Sequence, residues 1–265
     1  MKLIYAARTD VGMIRSGNED NYDAVWDPSN PVRGIFIVAD GMGGHAAGEV
    51  ASEMAVKTVK GELMPVRDLD GEDVVQLVAN SLKKANREIH ERTLTEVDKQ
   101  GMGTTASVLV LSGSRYLIGQ VGDSRVYLLR AGKFAQLTKD HSYMQEQVDA
   151  GYLTPEQARY HPYSNVITRC VGAGSDVEPD IYRGEVKPGD VFLVASDGLT
   201  GMVDDRRLAQ LLSSPALPER KVHALIAEAN GRGGLDNITA IIVQVIETDP
   251  LADDPNRTLE IPPVV

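Results

Sequence analysis

The chain alternates short apolar runs with longer stretches in which apolar residues recur every three or four positions. Gly34-Ile35-Phe36-Ile37-Val38-Ala39, Asp190-Val191-Phe192-Leu193-Val194-Ala195 and Ile238 to Ile246 are apolar nearly throughout. Such runs, short and rich in β-branched residues, predict buried strands. Thr104 to Leu111, Ser114 to Val121 and Arg125 to Arg130 predict three more strands in succession, broken by Ser112-Gly113 and Gly122-Asp123. Connections that short favour antiparallel hairpins over crossover helices. Val74, Leu77, Val78, Leu82, Ala85 and Ile89 fall on one helical face, and so do Val222, Leu225, Ile226 and Ala229. Strands and helices are therefore partly segregated. The expected fold class is α+β, with antiparallel sheets covered by helices.

No internal repeat and no linker interrupts residues 1–247, which read as a single domain. Beyond it, Asp249-Pro250, Asp253-Asp254-Pro255 and Pro262-Pro263 mark residues 248–265 as an acidic, proline-containing tail. His141 to Tyr163, rich in Gln, Glu and Tyr, breaks the strand pattern and reads as a helical insert that covers something.

Composition narrows the function classes. The 265 residues carry a formal net charge of -11, which argues against broad electrostatic attraction to nucleic acid or an anionic membrane. An acidic protein acting on a phosphorylated substrate must create positive charge locally, and bound metal ions with a few arginines do so economically. Cys170 is the single cysteine, so neither an internal disulfide nor a Cys-type zinc site is expected. Arg8 and Asp10 follow the opening Met1 to Ala6 too soon for a signal-peptide apolar region. The apolar runs are too short to span a bilayer, which leaves the cytoplasm as the expected location.

Three aspartates stand at the ends or entrances of the most apolar runs. Asp40 closes the run from Ile35 and precedes Gly41; Asp197 closes the run from Phe192 and precedes Gly198; Asp236, in Gly233-Gly234-Leu235-Asp236-Asn237, opens the final one. Carboxylates on rigid strand ends suit hard cations such as Mg2+ and Mn2+, and a glycine beside them lets a backbone carbonyl approach the ion. A lone Asp-Gly is more often simply a turn. The words around these aspartates change the balance. Arg15-Ser16-Gly17-Asn18-Glu19-Asp20 precedes Val38-Ala39-Asp40-Gly41-Met42-Gly43-Gly44-His45. Gly103-Thr104-Thr105, Val121-Gly122-Asp123-Ser124-Arg125, Ser196-Asp197-Gly198 and Asp236-Asn237-Ile238-Thr239 follow.

In identity and order these segments resemble the successive motifs of the protein phosphatase 2C family, from about Thr9 to about Val245, in its short bacterial form. The resemblance implies two antiparallel sheets packed as a central sandwich with helices on both outer faces. It implies a metal-dependent protein serine/threonine phosphatase that reverses kinase signalling. A hydroxide bridging two Mn2+ or Mg2+ ions would attack phosphorus in line with the leaving oxygen. By the same resemblance Asp40 bridges both ions, the Gly41 carbonyl binds one, and Asp197 and Asp236 hold the other. Glu19 acts through a metal-bound water, and Asp20 is a neighbouring ligand or acceptor. Arg15 binds the substrate phosphate. Asp123 would share a third ion with Asp197, or is a turn residue between two strands. His45 is a general acid, or a residue that orients a water or caps the helix beginning near Ala47. Thr104 and Thr105 brace the aspartates. Residues 140–169 occupy the place of the family's variable flap. Phosphorylated proteins and a cognate kinase are the implied partners, and a monomer is the expected state.

Two other readings compete. Gly41-Met42-Gly43-Gly44-His45-Ala46 formally fits a dinucleotide fingerprint, but that motif needs a second parallel strand ending in an acidic residue. Here the helical pattern from Glu49 to Leu63 runs into Pro65 instead. A metal-free binding relative should have lost some of the aspartates, whereas Asp40, Asp197, Asp236 and Arg15 are all present.

Overall fold

The computed structural model describes residues 1–27, 33–43, 47–65 and 72–248. Within them run β1 (Lys2–Asp10), β2 (Asp20–Asp27), β3 (Arg33–Met42), α1 (Ala47–Leu63) and α2 (Glu72–Thr95). There follow β4 (Gly103–Thr104), β5 (Ala106–Ser112), β6 (Arg115–Val121), β7 (Arg125–Arg130) and β8 (Lys133–Gln136). Next come α3 (Tyr143–Asp149), α4 (Pro155–Arg159), β9 (Asp180–Glu185) and β10 (Val191–Ala195). The last elements are α5 (Asp197–Thr200), α6 (Asp205–Leu212), α7 (Pro218–Gly231) and β11 (Ile238–Glu247).

The strands form two sheets, ordered β1-β11-β10-β7-β8 and β2-β3-β5-β6-β9, with β4 paired to β3 beside the second. Every pairing among the described strands is antiparallel. That removes the parallel β-α-β unit required by a dinucleotide fingerprint.

Side chains alternate across a strand, and here both faces of the central strands are covered. Phe36 and Val38 of β3 meet Phe192 and Val194 of β10 and Ile241 and Val243 of β11 between the sheets. Ile35, Ile37 and Ala39 point the other way, into the layer of Val59, Leu63, Val78 and Leu82 from α1 and α2. Leu193, Ala195, Ala240 and Ile242 likewise face Leu208, Leu212, Val222 and Leu225 of α6 and α7. Burial on both faces explains why these strands are continuous apolar runs rather than alternating ones. The architecture is the α-β-β-α sandwich, an α+β fold, as expected.

Two boundaries differ from the sequence reading. β3 does not stop at Asp40 but continues to Met42, where Gly41 and Met42 pair with Thr104 and Gly103. The segment expected as one strand from Thr104 is split at Thr105, whose N–H turns to the Asp40 carbonyl at 2.9 Å. Residues 140–169 carry two short helices, α3 and α4, each N-capped by a hydroxyl, Ser142 and Thr154. No described helix is long and apolar enough to cross a membrane. The tail from residue 249 lies outside the described residues.

Candidate functional site

Antiparallel pairing brings the C-terminal ends of β3, β6 and β10 together with the N-terminal ends of β2 and β11. Asp20 and Asp40 face each other in register across β2 and β3. Asp197 is the first residue of α5, directly after β10, and Asp236 precedes β11, which pairs with β10. Asp123 sits in the turn between β6 and β7. Neither Asp40-Gly41 nor Asp197-Gly198 is therefore a hairpin turn: one lies within a strand, the other opens a helix.

The cluster is electrostatically costly. Asp20 and Asp123 are buried, at 5% and 7% exposure, and Asp40, Asp197 and Asp236 are half-buried. Burial, then the neighbouring Asp20, Asp197 and Asp123, hold Asp40 well above the usual carboxylate range. Burial together with Asp197 and Asp140 does the same to Asp123. Asp197 is raised by burial and by Asp236. Asp20 is pushed up to about 7 by burial, with Asp197 and Asp236 adding to the rise. Hydrogen bonds from Thr239 and Ser196 oppose that rise. Burial also raises Glu19, against the pull of Arg15.

Backbone and hydroxyl contacts hold the carboxylates in place. The Asp40 N–H donates to Thr105 Oγ1 at 2.9 Å, and Thr104 Oγ1 donates to the Asp40 carbonyl at 2.9 Å. Ser196 Oγ donates to Asp20 Oδ2 at 2.7 Å and accepts the Thr239 N–H at 2.9 Å. Asn237 ties the loop of residues 11–19 to Asp236. Its Oδ1 accepts the Glu19 N–H at 2.8 Å, and its Nδ2 donates to the Val11 and Gly17 carbonyls at 3.0 and 2.8 Å. A Cβ on Gly41 would strike the carbonyls of Gly48 and Glu19, and one on Gly198 the carbonyl of Asn237. Glycine is required at both places so that these backbones can approach. Arg15, half-exposed, bonds Asp236 Oδ2 through Nη2 at 2.8 Å.

The donor set suits a hard divalent cation. All the groups are oxygens, they repel one another, and Asp20 Oδ1 is buried without a hydrogen-bond partner. No three His, Cys, Asp or Glu side chains among the described residues stand at metal-ligand spacing. Arg15 engages one oxygen of Asp236, and Ser196 one of Asp20. A groove of about 540 Å³ between β2 and α1, lined by Tyr22, Asp23, Glu53 and Lys60, does not include the aspartate cluster.

Residues 15–228 match the protein phosphatase 2C family. The chain belongs to that family. It is 39% identical over 238 residues to the serine/threonine phosphatase Stp of Listeria monocytogenes, covering 89% of this chain and 94% of Stp. It is 38% identical over 247 residues to PstP of Mycobacterium tuberculosis, covering 93% of this chain. That match spans about half of PstP, 46% of its length. The solved PstP catalytic domain, in complex with two manganese ions, superposes with a TM-score of 0.81 at 36% identity, over 92% of this chain and 99% of that one.

Within this member of the family, the structure brings together Arg15, Glu19, Asp20, Asp40, Gly41, Asp123, Asp197 and Asp236, residues the motifs singled out. His45 lies outside the described residues. Thr104 and Thr105 brace Asp40, as expected. Ser196, Thr239 and Asn237 were present in the motifs but had no role assigned. An Asn immediately after Asp236 was the available signal, since its amide can bridge backbone groups of two loops.

Proposed function

We propose that this chain hydrolyses phosphoserine and phosphothreonine in proteins, with two Mn2+ or Mg2+ ions held at the acidic end of the sandwich. The observation that carries the reading is the convergence of five aspartates, Asp20, Asp40, Asp123, Asp197 and Asp236, with Arg15 as the cation bonded into them. In this reading Asp40, the Gly41 carbonyl, Asp197 and Asp236 would hold the two ions. Glu19 would act through water, Asp20 would be an adjacent ligand or acceptor, and Asp123 would share a third ion with Asp197. When bound, such ions lower the pKa of a water and offset phosphoryl charge. The chain supplies the rest. Arg15 presents a planar fork that can turn from Asp236 to two phosphate oxygens. Asn237 holds the loop bearing Arg15 and Glu19 against Asp236. His45 is the candidate proton donor to the leaving oxygen. Residues 1–247 form the catalytic domain with a flap at 140–169, and 248–265 is a dispensable tail. A phosphoprotein, a cognate serine/threonine kinase, a monomeric state and the cytoplasm complete the reading.

Phosphate release from phosphoserine and phosphothreonine peptides, measured with Mn2+ and after EDTA, tests it alongside Mn2+ titration calorimetry. Activity should depend on the metal, and Asp40→Ala and Asp236→Ala should abolish both turnover and tight Mn2+ binding. Full turnover in EDTA, or unchanged Mn2+ binding in Asp40→Ala, would overturn it.

A further inference from the structure

Two consecutive residues at the base of the 140–169 segment grip both ends of the turn that carries Asp123. His141 donates its backbone N–H to the Gly122 carbonyl at 3.0 Å, and its ring Nδ1 accepts the Gly122 N–H at 3.1 Å. Asp140 binds Arg125 at the other end, 3.0 Å from Nε and 2.6 Å from Nη2. Both gripping residues are buried, at 9% for Asp140 and 6% for His141. Because Nδ1 accepts, the ring proton sits on Nε2, which faces Asp180 Oδ2 at 3.3 Å. Arg169, at the far end of the segment, bonds Asp180 Oδ1 at 2.7 Å and stands 3.0 Å from the same ring nitrogen.

The segment is closed at its base and pinned to β9. Thr168 N–H donates to the His141 carbonyl and Tyr143 N–H to the Val166 carbonyl, each at 2.8 Å. Lys139 N–H donates to Tyr182 Oη at 3.1 Å. On its other side the turn leans on the Asp40 brace. Gly122, at φ +98°, has no room for a Cβ against Thr105. Thr105 Oγ1 contacts Ser124 Oγ at 2.7 Å while accepting the Asp40 N–H. The flap base is thus hydrogen-bonded to Gly122, and two residues further along the same turn Ser124 is hydrogen-bonded through Thr105 to Asp40.

We infer that Asp140 and His141 are positioning residues that latch the flap base to Asp123 and so set its place beside Asp197 and Asp40. The inference rests on Asp123 being part of the site, as proposed above. Groups that orient a ligand through a second residue typically change metal affinity or activity about 10- to 100-fold when removed.

Side-chain isosteres separate the two halves of the histidine. In His141→Asn the amide oxygen takes the place of Nδ1 and keeps an acceptor for Gly122. In His141→Gln the amide nitrogen takes the place of Nε2, so the reach to Asp180 survives and the grip on Gly122 is lost. Mn2+ affinity by calorimetry, kcat and KM on a phosphopeptide, and Tm are measured for both, in wild-type and Asp123→Ala backgrounds. His141→Gln should weaken the lowest-affinity Mn2+ site and lower kcat about tenfold with KM within about twofold, while His141→Asn stays near wild type. In the Asp123→Ala background, His141→Gln should change neither quantity further. A full additional loss there, or equal losses for both isosteres, would overturn the latch while leaving Asp123 in the site. Wild-type Mn2+ binding and kcat in Asp123→Ala alone would overturn the assignment of Asp123, and the latch with it.

Discussion

Replacing Asp20 by Asn should remove much of the pH dependence of stability in metal-stripped protein. Asp20 lies at 5% exposure with one oxygen on Ser196 and the other without a partner. Its pKa is pushed up from 3.8 to about 7, first by burial and further by Asp197 and Asp236. A folded-state value above the unfolded one means that the native state binds the proton more tightly. The stabilisation is then fully present below about pH 4 and is lost as pH rises through about 7. A rise of roughly three units at about 1.4 kcal/mol each sets an upper bound of about 4 kcal/mol. Coupling among the aspartates and water entry on ionisation reduce this to about 2 kcal/mol. Asn mimics the neutral acid, keeps an acceptor for Ser196, and has no charge to develop. Urea unfolding in EDTA, followed through the fluorescence of Trp26 on β2, gives the measurement at pH 5 and pH 8. Wild type should lose stability between the two, and Asp20→Asn should lose about 2 kcal/mol less. Saturating Mn2+ should reverse the order at pH 8 by stabilising wild type more. Identical pH slopes in EDTA would show that Asp20 is not a proton-holding member of the cluster.

Arg15→Ala should raise KM for a phosphopeptide and cost about 1.5–3 kcal/mol in kcat/KM, because a charge-assisted contact to phosphate is lost; steady-state kinetics equal to wild type would remove Arg15 from the site. Gly198→Ala should drive α5 off the Asn237 carbonyl, destabilising the fold by about 1–3 kcal/mol and weakening Mn2+ binding. Unchanged calorimetric affinity and Tm would contradict that close approach. A chain ending at Thr248 should keep wild-type kcat and Tm, since the sequence beyond it lacks core-forming periodicity. A clear fall in either would mean that the tail docks on the domain.

The central strands were legible from sequence because burial on both faces leaves no polar residue to break the run, as in Ile35 to Ala39 and Val191 to Ala195. The long helices were legible because one face packs on a sheet, which imprints the period of Val74, Val78, Leu82 and Ile89. β1, β2, β8 and β9 were not read as strands. They lie in outer, half-covered positions, where residues such as Arg8, Asp23 and Arg183 mask the alternation. Motif order was enough to indicate the family and its aspartates. It could not say whether Asp-Gly was a turn, because that depends on β3 continuing to pair with β4 and on α5 starting at Asp197. Nor could it show Arg15 meeting Asp236, 221 residues away, or Asp20 buried in register with Asp40. Local propensity acts over a few residues, so the sequence alone determines which segments extend or coil and which residues could bind a cation. Pairing between distant strands decides which carboxylates share one end of the sandwich, and their mutual repulsion and burial exist only once that pairing has formed.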